Sequence, residues 1–142
     1  MTDTDYVSYP IALALKKHGF DELCDKWIAS KSFSYYDEDE CCDHNAVIRK
    51  GWLISQKQKE RYDQEALPYL TLWQAQKWLR EKGVAVSVQA SEIQGELWYS
   101  ADIISTEGLS ELVDGGFDYM AYESALSAGI AAALELIEKK GE

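Results

Sequence analysis

The chain of 142 residues contains little proline, little cysteine and few basic residues, and each scarcity excludes a class of protein. Two prolines and nine glycines are too few for a collagen-like repeat. Three cysteines, an odd number, do not form the framework of a small disulfide-stapled fold. The sequence also contains no run of about 20 apolar residues, which a membrane-spanning helix needs. These absences predict a protein without a membrane span.

The rest of the composition is typical of a globular protein. Hydrophobic residues make up 46% and charged residues 27%, and five Trp, nine Tyr and three Phe supply bulky side chains for a core. The length favours a single domain over residues 1–142. The start of the chain, MTDTDY, lacks the basic-then-apolar pattern of a secretory signal, so we expect a cytoplasmic protein.

Acidic residues dominate, with 25 Asp and Glu against 14 Lys and Arg and a net charge of −11. The net charge is −6 over residues 1–45, +4 over 46–82 and −9 over 83–142. Such a protein is repelled by phosphate backbones, which argues against binding to nucleic acid. The acidity either serves solubility or presents carboxylates to a basic partner. The basic residues of the middle segment are expected to be solvated or paired: Arg49, Lys50, Lys57, Lys59 and Arg61.

Capping residues and apolar spacing predict about three helices, over residues 8–19, 71–83 and 121–140. The second is the clearest, because Thr71 can cap its start and Gly83 can close its end. Its apolar stripe comprises Leu72, Ala75, Trp78 and Leu79.

Alternating apolar residues predict the strands. Residues 84–90 and 96–104 should pair as a hairpin across a loop of about five residues. Shorter strands are expected around 25–29, 32–36 and 46–55, with an acidic loop at 37–45 and an exposed loop or marginal helix at 56–66. Helices and antiparallel strands without a regular alternation predict an α+β fold, with about three helices packed on a small antiparallel sheet.

Three of these stretches also resemble a known group of proteins. YPIALALKKHGFDELCDKW at 9–27, TLWQAQKWLREK at 71–82 and YESALSAGI at 122–130 are similar to small proteins of Bacteroides-type gut bacteria and of their phages and mobile elements. The three stretches cover roughly a third of the chain and follow the same order as in that group. The group has no assigned activity, so the resemblance implies an origin and a compact fold but transfers no catalytic residue.

Cys41, Cys42 and His44 form the sharpest local group of metal-ligating residue types. Zinc sites need three or four such ligands, and their usual spacing separates paired cysteines by two residues. Here the two cysteines are adjacent, so we expect reduced thiols in a solvated acidic loop and no cofactor. A small metal- or ligand-binding module that uses this loop stays open as an alternative.

The aromatic residues exceed what the predicted core needs. Trp73 lies beside the apolar stripe of its helix, while Trp98 and Tyr99 are adjacent in a strand and point to opposite faces. Exposed Trp and Tyr are favoured anchors at protein interfaces. The candidate binding residues are Trp73, Trp98, Tyr99, Tyr35 and Tyr36. They would cap the core edge, form a homodimer contact or bind a foreign protein.

The sequence contains no signature of an enzyme, since nucleophile elbows, Cys–His signatures and phosphate-binding loops are missing. The leading hypothesis is a small acidic interaction protein. Given the resemblance, it would be an accessory protein of a phage or mobile element that binds a host protein.

Overall fold

The computed structural model describes residues 5–30, 39–42, 46–61, 66–106, 110–112 and 117–140. The chain divides into two compact units, one comprising Tyr6–Leu70 and the other Thr71–Glu142 together with Met1–Asp5. Four helices and two antiparallel sheets in the described residues confirm the α+β class. A single domain over 1–142 stays a prediction. None of the described helices is long and apolar enough to cross a membrane.

The described elements of the unit Tyr6–Leu70 are α1 (Tyr9–Lys17), β1 (Cys24–Ser30), β2 (Asp39–Cys42), β3 (Ala46–Ile54), α2 (Gln56–Glu60) and β4 (Leu67–Pro68). The four strands form an antiparallel sheet in the order β2-β3-β1-β4. Trp27 and Ile28 in the centre of this sheet are buried, as are Ile11 and Leu15 of α1.

One local prediction for this unit is corrected by backbone pairing, and the short helix that was one of two alternatives after β3 is confirmed. The loop expected at 37–45 is wrong for Asp39–Cys42, which pairs with β3 as an edge strand. An edge strand has one open side, which lets it accommodate an acidic segment. The segment after β3 begins with a helix, because Ser55 and Gln58 cap its start reciprocally. The strand expected at 32–36 lies outside the described residues.

The described elements of the second unit are α3 (Leu72–Glu81), β5 (Val84–Ile93), β6 (Glu96–Ser105), β7 (Ser110–Leu112) and α4 (Tyr122–Lys140). The strands form an antiparallel sheet in the order β5-β6-β7. Helix α4 contacts both β5 and β6, and α3 contacts β5 and α4. The predicted stripe of α3 is buried, and Thr71 and Gln74 form the capping box at its start.

The hairpin is confirmed, but its loop is shorter than predicted. Ten consecutive residue pairs join β5 to β6, and only Gln94 and Gly95 separate the strands. Both turn residues have positive φ, 53° and 84°, which is the backbone of a tight two-residue hairpin turn. Glutamine is uncommon in that conformation, so the sequence did not mark the turn. The strands therefore extend further from the helices than expected.

The face of the hairpin under α4 is the core of this unit. Val86 and Ile103 lie opposite each other in the register, and both are buried. Gly129 lies where α4 crosses this face: a Cβ placed there would be 2.5 Å from Val86 Cγ1 and 3.1 Å from Ala101 Cβ. The missing side chain thus allows α4 to approach the sheet closely.

Candidate protein-contact surface

The end of the hairpin farther from Gly83 is paired with the segment that precedes α4. Tyr99 and Tyr119 exchange two backbone hydrogen bonds, with N···O distances of 2.7 and 3.2 Å. The Tyr99 ring also meets the Tyr122 ring edge-on, at a centroid distance of 5.9 Å and an interplanar angle of 83°. These contacts fix the start of α4 beside β6.

Several large apolar side chains are exposed where these segments meet. Leu97, two residues from Tyr99 and on the same face of β6, is 57% exposed, and Met120 is 64% exposed. Tyr122 is 36% exposed. We call the group Leu97, Tyr99, Tyr119, Met120 and Tyr122 the hairpin-end surface. Apolar side chains exposed on paired segments mark interaction sites more often than isolated ones do.

The segments that form the hairpin-end surface carry only acidic charges. Residues 84–138 contain ten Asp and Glu and no Lys, Arg or His. Glu92 lies opposite Leu97 in the hairpin, and Glu96 precedes Leu97 in β6. Asp118 lies between Phe117 and Tyr119 and is exposed. An unbalanced set of carboxylates produces a negative potential that attracts a positively charged partner.

The structure separates the two strand residues that the sequence singled out. Tyr99 lies on the face covered by α4 and belongs to the hairpin-end surface. Trp98 lies on the opposite face, across from Ser91, and is half-buried. Neither side chain is fully exposed. A partner that binds this end of the hairpin would therefore also contact Leu97, which is more exposed.

Trp73 lies on α3 and is 40% exposed. It is next to Leu72 of the buried stripe but turned towards the polar side of the helix, as the spacing predicted. It is on another element from the hairpin-end surface. The other two candidate aromatic residues, Tyr35 and Tyr36, lie outside the described residues.

The cysteine-rich segment is described only in part. The backbone of Cys41 and Cys42 forms the end of β2, with a register irregularity between Glu40 and Cys42, and His44 lies outside the described residues. Cys24 is buried and in the thiol form. In the part of the chain that the structure describes, no three His, Cys, Asp or Glu residues form a metal-binding group. A metal site at Cys41, Cys42 and His44 stays a prediction.

Leu97, Met120 and Tyr122 were not identified as site residues from the sequence. Helical spacing favours Tyr122 on the same face of α4 as the buried Leu126 and Ile130, yet the structure exposes it at the first turn. Leu97 and Tyr99 are two residues apart in a strand, so the sequence indicates that they share a face. The exposure of Leu97 could not be predicted from the sequence, because it depends on where α4 begins.

No protein-family model, curated protein or solved structure matches this chain. The resemblance to small proteins of Bacteroides-type bacteria and their phages therefore stays a prediction. The proposed function therefore rests on the residues and geometry of the chain itself.

Proposed function

We propose that this protein is a binding module that contacts a partner protein through the hairpin-end surface. The observation behind the proposal is that Leu97 and Met120 are more than half exposed beside an aromatic pair. Apolar side chains at the centre of a contact, surrounded by charged residues, are the usual anatomy of a protein interface. The hairpin holds them on a regular backbone, so little ordering is needed on binding.

The partner would present a basic surface. Since residues 84–138 contain no Lys, Arg or His, the ionised side chains of the hairpin and of the segment that leads into α4 are carboxylates. Complementary charge speeds association and excludes acidic partners, including a second copy of this chain. The resemblance to phage and mobile-element proteins supports a host protein as the partner and an accessory role for this chain.

Replacing the two most exposed apolar residues should abolish capture of the partner. We expect Leu97→Ser with Met120→Ser to reduce recovery of a partner by about tenfold or more, because each loses apolar area at the centre of the contact. The measurement is a pull-down with tagged protein from lysate of a Bacteroides-type host, quantified by mass spectrometry. The matched control is Leu13→Ser with Leu53→Ser, whose leucines are 50% and 61% exposed in the other unit. Equal losses in both variants would contradict the proposal.

Charge reversal should weaken the same interaction and its dependence on salt. We expect Glu96→Lys with Asp118→Lys to lower recovery at low salt and to leave little further change at high salt. The control, Glu22→Lys with Glu81→Lys, changes the net charge by the same amount at exposed positions that belong neither to the hairpin nor to α4. If the two variants lose binding equally, only the overall charge matters and the hairpin-end surface is not the contact.

A further inference from the structure

β5 is an edge strand, and the register shows which of its backbone groups face away from β6. Tyr99, opposite Ala90, directs its N–H and C=O to Tyr119 on the far side of β6. In an antiparallel ladder, two residues opposite each other either both face their partner strand or both face away. Ala90 therefore directs its backbone groups outward, and so does Val88, two residues earlier.

One outward group near the start of the strand is already occupied. Val86, which has the same orientation as Val88 and Ala90, accepts a hydrogen bond from the side chain of Gln76 on α3 (2.8 Å). Beyond it, no described residue pairs with the outward backbone groups of Val88 and Ala90. The open edge thus begins at Val88 and continues to Glu92 beside the turn.

Beyond Val86, the edge of β5 lacks several of the features that protect edge strands from pairing with another chain, and Glu92 is its one charged residue. Such features are proline, lysine, a bulge or a covering element. Residues 88–92, VQASE, contain neither proline nor lysine, and the ten pairs with β6 continue without a register shift. Gln89, Ala90 and Glu92 are exposed. A straight, accessible strand edge of this kind is a template for β-strand addition.

We propose that the partner inserts an extended, basic segment that pairs with Val88–Glu92 as an additional strand beside β5. This inference rests on the proposed function and names the way in which the partner binds. Backbone hydrogen bonds to Val88 and Ala90 hold the segment, and its Lys or Arg side chains lie near Glu92 and Glu96. The segment lacks proline at the positions that donate to β5.

A second copy of this chain is a poorer occupant of the same edge. Two copies paired antiparallel about Ala90 would set Val88 of one against Glu92 of the other. They would also bring together two hairpins whose 84–138 segments contain only acidic charges. Like charges brought close together oppose association, whereas a basic segment is attracted to this edge.

The test separates the backbone donor of Ala90 from its side chain. Ala90→Pro removes the outward N–H, and proline is tolerated where an edge strand's N–H faces solvent. Ala90→Thr keeps the N–H and enlarges the side chain. Random peptides of about twelve residues are selected against the wild-type protein, and each enriched peptide is then measured against both variants. Slow amide exchange at Gln89 and Ser91, whose N–H groups face β6, confirms that each variant keeps the hairpin.

We expect enriched peptides to contain alternating Lys or Arg, to bind Ala90→Thr like wild type and to lose about tenfold or more affinity for Ala90→Pro. The amides of Val88 and Ala90 should exchange more slowly in the complex. Several results would overturn strand addition: no enriched peptide, peptides without positive charge, equal affinity for both variants, or a dimer of the free protein that Ala90→Pro dissociates. Partner capture lost in Leu97→Ser with Met120→Ser but kept in Ala90→Pro would leave the proposed function standing without strand addition.

Discussion

Replacing Trp27 with alanine should destabilise the unit Tyr6–Leu70 by about 3–5 kcal/mol, the usual cost of removing a large aromatic side chain from a core. Trp27 is only 1% exposed and lies in the central strand β1, paired with Arg49 on one side and Pro68 on the other. The Lys59 ammonium lies 5.9 Å from the centre of its ring. Native-state hydrogen exchange of the Ile28 amide measures the free energy of unfolding of this unit. This measurement does not depend on the fluorescence of Trp27, which the substitution removes.

The matched variant Trp27→Phe separates packing from hydrogen bonding. Trp27 Nε1 is buried and has no hydrogen-bond partner among the described residues. A buried donor without a partner costs about 1–3 kcal/mol, and phenylalanine removes that donor while keeping an aromatic ring. We therefore expect Trp27→Phe to cost about 1 kcal/mol or less, because the lost volume is offset by the removed donor. A phenylalanine variant as unstable as the alanine variant would contradict this expectation.

Adding a methyl group at Gly129 should destabilise the other unit by up to about 2 kcal/mol, although alanine is the better helix former. The new Cβ would lie 2.5 Å from Val86 Cγ1, closer than real contacts allow, and 3.1 Å from Ala101 Cβ. Overpacking costs about 1–3 kcal/mol, which outweighs the gain of about 1 kcal/mol in helix propensity. Urea unfolding followed by the amides of α4 measures the difference.

A double-mutant cycle tests whether the clash with Val86 is the cause. In a Val86→Ala background the obstructing methyl groups are gone, so Gly129→Ala should become neutral or stabilising by up to about 1 kcal/mol. The coupling energy between the two positions should then be about 1–3 kcal/mol. Additive effects would show that Gly129 is retained for another reason.

Local signals allowed α3 and the hairpin to be predicted from the sequence. Thr71 and Gln74 form the capping box within α3 itself, and Gly83 follows with a φ of 87°. The alternation of residues 84–90 and 96–104 likewise depends on no distant contact. Sequence patterns predict the structures whose stabilising interactions all lie within one short segment.

Features that depend on distant pairing were not predictable in the same way. The acidic composition of Asp39–Cys42 indicated a loop, but its pairing with β3 makes it a strand. The division of the strands into two sheets also depends on which strands meet. The hairpin-end surface was missed for the same reason, because the exposure of Leu97 and Met120 follows from the Tyr99–Tyr119 pairing. Tyr99 itself was identified, from its residue type and strand position alone.

The two-residue turn of the hairpin has a consequence for synthesis of the chain. Strands joined so closely can pair within about 1–10 μs of leaving the ribosome, whereas translation adds about 5–20 residues per second. β5 and β6 are therefore paired before α4 is complete, because α4 follows them in the chain. During those seconds the face around Val86 and Ile103 lacks the cover of α4, and a chaperone would shield it until Gly129 emerges.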